Sequence, residues 1–138
     1  MSKLTLEQAN KIIEVAFAKA RDRKVKPLAV AVLDEAGNVR SLQRQADASM
    51  LRNDVAVGKA LAAVGMGVAS RTLLDRAKGN PQFFGALSSI KFIPQTGAVV
   101  IKDKDGNVIG AAGASGGTGE EDEAVCMAGI TAAGLAFG

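Results

Sequence analysis

Histidine, tyrosine and tryptophan are all absent from the 138 residues, and cysteine occurs once. Without histidine there can be no Ser-His-Asp triad, no Cys-His pair, no imidazole zinc site and no histidine axial ligand to haem. Acid–base chemistry is left to Asp, Glu, Lys or Cys. The single thiol, Cys126, excludes an internal disulfide and suits a reducing compartment. Aromatics are limited to five Phe, so the core has to be built from Ala, Val, Ile and Leu, with 16 Gly permitting close approach of backbones. No apolar run is long enough to span a bilayer and no charged-then-apolar leader precedes Leu4, which predicts a soluble, cytoplasmic chain with no membrane partner. Net charge is only +3, and the basic stretch from Lys19 to Lys26 has no interleaved aromatics, so nucleic acid is not an expected partner. The length predicts one domain over residues 1–138, large enough for a core that needs neither disulfides nor a structural metal.

What is present is strongly patterned. Thr5-Leu6-Glu7-Gln8 is a capping box, and Leu6, Ala9, Ile13, Ala16, Phe17 and Ala20 follow at helical spacing. Leu28 to Leu33 and Val39 to Arg44 flank the turn Asp34-Glu-Ala-Gly37-Asn38 as a β-hairpin. The same D-x-x-G-N grammar returns at Asp103 to Asn107, between Ala98–Ile101 and a run from Val108, which predicts an antiparallel sheet of at least four strands. Between Asp54 and Ser70 one charge, Lys59, sits in an alanine-rich apolar stretch, predicting a helix buried on more than one face. Gly58, Gly65 and Gly67 cost that helix propensity, and close packing would explain them. A short helix from Ser70 breaks at Gly79-Asn-Pro81, and Gln82 to Thr96 reads as an irregular excursion carrying Phe83, Phe84 and Phe92, either a pocket wall or a subunit edge. Helices beside an antiparallel sheet make an α+β sandwich.

The most informative stretch is Val108 to Gly134. An apolar strand enters a turn at Gly116, Gly117 and Gly119, then a helix opening Glu120-Glu121-Asp122-Glu123, with Thr118 and Glu121 as a second capping box. Free backbone N–H groups converge there, as a ligand cradle or simply as a tight strand-to-helix connection. Four adjacent carboxylates would repel an anion unless a cation came from elsewhere. Lys59 is the sharpest candidate; it either snorkels, pairs internally or points at something anionic. Arg44 could clamp a carboxylate, or bridge to Asp47 or an acid of the last helix, with Arg52 just beyond. Helical spacing sends Glu120 and Glu123 to one side and Asp122 elsewhere. Cys126 lies on a stripe with Ile130, Ala133 and Phe137 and reads as a small core hydrophobe.

In order, these motifs resemble the GlcG/HbpS-like family, the haem-degrading or haem-binding domain family that includes the C-terminal domain of PduO. The resemblance covers essentially the whole chain. It rests on Leu6 and Ala9, V-A-V-L-D-x-x-G from Val30 to Gly37, Arg44 with Asp47, and A-x-x-K-A at Ala56, Lys59 and Ala60. It closes on G-N-V-I-G-A-A-G-A-S-G-G from Gly106 to Gly117 and the acids from Glu120 to Ala124. It implies a profilin-like sandwich with a central antiparallel sheet and flanking helices, commonly assembled into symmetric homo-oligomers. It also implies a haem, corrinoid or small-carboxylate ligand, and in some members conversion of small acids. Haem is admitted as a cofactor, although no histidine is available to ligate it; no metal site is expected. On this resemblance Arg44, Asp47, Lys59, Ser115, Gly116 and Gly117 would hold the ligand, and Lys59 and Glu120 would be catalytic if the chain is an enzyme. Two departures, R-Q-A-D-A from Arg44 to Ala48 and P-Q-T-G before Ala98, fall at the expected pocket rim.

Overall fold

The computed structural model describes residues 3–138. In chain order these are α1 (Leu6–Asp22), β1 (Ala29–Asp34), β2 (Val39–Arg44), α2 (Leu51–Met66), α3 (Ser70–Gly79), α4 (Pro81–Ala86), β3 (Ala98–Lys102), β4 (Val108–Ser115), α5 (Gly119–Ala132) and β5 (Ala136–Phe137). The strands form one antiparallel sheet, β2-β1-β4-β3-β5, flanked by helices: the α+β sandwich the sequence predicts, with a fifth short strand added.

Both hairpins turn on an Asp side chain. Asp34 Oδ1 accepts from the N–H of Ala36 and Asn38 at 3.0 and 2.9 Å, and Asp103 Oδ1 from Asp105 and Asn107 at 3.0 and 2.9 Å. Local turn chemistry thus explains the repeated motif.

Strand alternation divides the sheet into two unlike faces. Val30, Val32, Val99 and Ile101 pack with Ile12, Ile13, Val125 and Ile130 of α1 and α5. On the other face Ala29, Ala31, Ala98 and Ala111 meet Ala56, Ala60 and Ala63 of α2. A Cβ at Gly113 of β4 would lie 2.6 Å from the Ala56 carbonyl oxygen, so the α2 backbone rests almost directly on the sheet. Thr5 and Thr118 close the expected capping boxes at the starts of α1 and α5.

Several expectations need correction. The middle helix begins at Leu51, before Asp54, and ends at Met66, where Gly67 caps it in the left-handed conformation. Close packing does account for Gly58 and Gly65, whose absent side chains leave room for Ile93 and Phe92. The stretch from Gln82 is irregular only after Ile90: α4 and a 3-10 turn over Leu87–Ile90 occupy its first part, started by Pro81 at a first-turn position where its missing N–H costs nothing. Phe84 is buried with Leu73 and Ala62, and Phe92 packs on Gly65, so only Phe83 is left exposed. The helical stripe of Cys126 and Ile130 stops at Ala132; Phe137 lies in β5 opposite Ile101. Among the described residues no single helix is long and apolar enough to cross a membrane.

At the α1–α5 crossing a Cβ on Gly129 would collide with the Ile12 carbonyl. Gly129→Ala is therefore expected to cost about 1–3 kcal/mol in urea unfolding, outweighing its gain in helix propensity. Gly79→Ala, at the end of α3 with nothing within 4 Å, is the control and should be neutral or slightly stabilising.

Candidate functional site

The small-residue contact between α2 and the sheet determines what α2 presents at its flank. With Ala56, Ala60 and Ala63 turned to the sheet, helical spacing puts Arg52, Val55 and Lys59 along an adjoining face. The Lys59 stem reaches over the end of β4, where Nζ donates to the Ala114 carbonyl at 3.1 Å and to Asp122 Oδ2 at 3.3 Å. Asp122 Oδ1 accepts from the Gly117 N–H at 3.0 Å. The ammonium fits because residue 97 is Gly: at φ +141 it takes a backbone shape that side chains disfavour, and a Cβ there would lie 2.6 Å from Nζ. Gly116, at φ +153, lets the turn after β4 pass hard against Pro27 and Leu28.

Beside this pair lies a cavity of about 400 Å³. One wall is Arg52, Val55 and Lys59; a second is Ser115, Gly117, Glu120 and Asp122; Leu74, Gln95 and Thr96 complete it. Arg52 Nη1 donates to Ser115 Oγ at 3.1 Å, leaving further guanidinium donors for an occupant. Lys59 is 6% and Asp122 1% exposed. Burial pushes the Asp122 carboxyl above its ordinary value of 3.8, against the opposing pull of Lys59 and the Gly117 amide. Glu123 is committed to Arg71 of α3 in a forked ion pair, at 2.8 Å to Nη2 and 3.0 Å to Nε. The Cys126 thiol is fully buried, and burial pushes it well up, so it supplies no thiolate.

Of the residues singled out in the sequence, the fold brings Lys59, Ser115, Gly117 and Glu120 into this cavity. It does not bring Arg44, Asp47 or Gly116. Arg44 donates to the Ala48 carbonyl at 2.6 Å, close by in its own segment, and Asp47 is exposed in the turn before α2. Gly116 instead borders a smaller cavity near Lys24 and Lys26. Arg52 lines the cavity where Arg44 was expected, and among the acids of the last helix Asp122 is the one paired with Lys59. Both could have been found: Arg52 and Lys59 lie seven residues apart, two turns on one helix face, and Asp122 was already separated from Glu120 and Glu123 by helical spacing.

The family described as "Haem degrading protein HbpS-like" matches residues 4–131. The chain belongs to the HbpS-like family. A relative, an uncharacterised 15.0 kDa protein of the dhaT-dhaS intergenic region of Citrobacter freundii, is 32% identical over 120 residues, covering 86% of this chain and 84% of that one. Among solved structures, the PduOC:heme complex superposes with TM-score 0.86 at 26% identity, covering 97% of each chain. A double mutant of Streptomyces reticuli HbpS superposes with TM-score 0.85 at 26% identity, over 95% of this chain and 87% of that one. The HbpS-like frame is therefore shared along nearly the full length.

Removing the cation isolates a buried carboxyl. Lys59→Met is expected to cost about 3–5 kcal/mol near neutral pH. The sign of its pH dependence follows from the raised Asp122 value. A carboxyl raised above its unfolded value stabilises the fold only while protonated, and that stability is lost as pH rises through the folded value. Losing Lys59 raises Asp122 further, so the penalty should shrink in acid and grow with pH, as urea titrations from pH 4 upward would show.

Proposed function

We propose that this HbpS-like chain binds a small anionic ligand, a carboxylate, in the cavity between α2 and the start of α5. One observation carries the reading: two cationic side chains, Arg52 and the buried Lys59, border open space beside the Gly117 turn. Arg52 has bidentate geometry for a carboxylate, and Lys59 adds a partly desolvated charge whose attraction is stronger than in water. The cavity lining mixes polar and apolar surface, with Val55 and Leu74 among seven polar or charged residues, and its small volume suits a compact acid better than a broad apolar ring.

The PduOC:heme complex is among the similar structures, so the fit of haem has to be tested on the residues here. The chain has no histidine, its thiol is sealed in the core, and Lys59 Nζ is spent on Ala114 and Asp122. The cavity therefore offers haem iron no imidazole, thiolate or free amine, only oxygens such as those of Thr96, Ser115 and Glu120. A haem or corrinoid propionate could still engage Arg52 as any carboxylate would. Leu42, Met50 and Leu51, exposed on and after the edge strand β2, support a homo-oligomer as part of this reading.

A second reading, an enzyme acting on a small unsaturated or hydroxy carboxylic acid, is favoured by Glu120. Its carboxylate lines the same cavity as Lys59 and could accept a proton from a ligand held there.

A thermal-shift panel of small carboxylates and haemin, followed by calorimetry on the hits, tests the proposal. Arg52→Gln should weaken carboxylate binding about 10- to 100-fold with the fold retained. Equal binding by wild type and Arg52→Gln would overturn the assignment. A Soret shift that survives Arg52→Gln and Lys59→Met would place haem elsewhere. Turnover of 2-oxo or dienol acids lost in Glu120→Gln would favour the enzyme.

A further inference from the structure

The cavity holds matched charges, Arg52 and Lys59 against Glu120 and Asp122, and the two innermost are already paired with each other. An anion arriving at Lys59 does not meet a free cation. It meets one whose charge is taken up by a carboxylate 3.3 Å away. Resting on the ligand reading above, we infer that the site takes its ligand as a monovalent oxyanion together with one proton, and that the proton lodges on Asp122.

The argument is one of charge and space. Arg52 is half-buried at the cavity wall, so at the buried end two carboxylates would share the single ammonium of Lys59, which favours uptake of a proton by one of them. Asp122 is the one placed to do so. It is the more deeply buried, whereas an incoming ligand keeps its second contact to Arg52 at the cavity wall. Burial already biases its carboxyl toward the neutral form. Once protonated, Asp122 keeps its bond from the Gly117 N–H on Oδ1, and the new O–H on Oδ2 can donate to the ligand. The proton comes from bulk solvent; Lys59 exchanges one anionic partner for another and stays charged throughout.

The other charged or titratable groups around Asp122 do not take this part. Glu123 is committed to Arg71 of α3, and Cys126, four residues on, is held neutral by burial. Arg52 of α2 is a permanent cation. Glu120 is exposed, so its interaction with the ligand is screened by water.

Trifluoroacetate, ionised at every working pH and visible by 19F NMR, is the probe. In wild type its Kd should weaken with rising pH, approaching about tenfold per unit where Asp122 is ionised in the free protein and protonated in the complex. Asp122→Asn should bind with a flat pH profile and more tightly than wild type at the alkaline end; Glu120→Gln should keep the slope. A flat wild-type profile, or a slope unchanged in Asp122→Asn, overturns proton uptake while leaving the ligand reading intact. No binding to wild type at any pH overturns the ligand reading itself. Should Asp122→Asn fail to fold by circular dichroism, infrared difference spectra of wild type decide. A protonated-carboxyl stretch gained on adding trifluoroacetate supports the inference, and its absence refutes it.

Discussion

The ammonium of Lys59 is the point at which three elements of this fold are tied together. It starts on α2, caps the Ala114 carbonyl near the end of β4, and meets Asp122 in the first turns of α5. A lone charge at that depth would be costly, and the structure offsets it with two oxygens at hydrogen-bond distance. Asp122 is in turn fixed by the Gly117 N–H, so the glycine turn is shaped from inside by a side chain of the helix that follows it. The arrangement brings charge into an alanine-built interior while leaving one side open to a cavity.

The fold shared with HbpS and PduOC establishes the frame and leaves the chemistry to the site. This chain's site is polar and carries both signs of charge. Its reading as a carboxylate cavity depends on Arg52 and Lys59 being on one face of α2. That face exists because the neighbouring face is flattened onto the sheet.

Much of the architecture was legible in the sequence because it is written locally. The Thr5 and Thr118 capping boxes, the two D-x-x-G-N turns and the helical spacing of α1 act within a few residues, and each is found, although Leu6 of the α1 stripe stands exposed and Ile12 joins its buried face. What was misread depends on distant contacts. The segment after Pro81 looks irregular by composition, yet Phe84 and Phe92 dock against α2 and hold it in short helical turns. Within the site, Lys59, Ser115, Gly117 and Glu120 were named correctly as neighbours in space, whereas Arg44 was preferred to Arg52. The only local signal separating two arginines eight residues apart is the two-turn spacing of Arg52 from Lys59. The direction α2 takes after the turn separates them, and that direction is set by Ala56 and Ala60 meeting Gly113. The partnership of Lys59 with Asp122 spans 63 residues and is likewise a product of the whole fold.

The thin α2–sheet seam inverts a familiar expectation about which positions in a protein tolerate drift. Large aliphatic residues between α1, α5 and the sheet can exchange shapes with their neighbours as long as volume is kept. Gly113 has no such freedom, because an added methyl there meets the α2 backbone at Ala56 and Ala60 and cannot be absorbed by a rotamer change. The smallest residues, usually the ones replaced at least cost, are here the ones that hold the cation in register with its site.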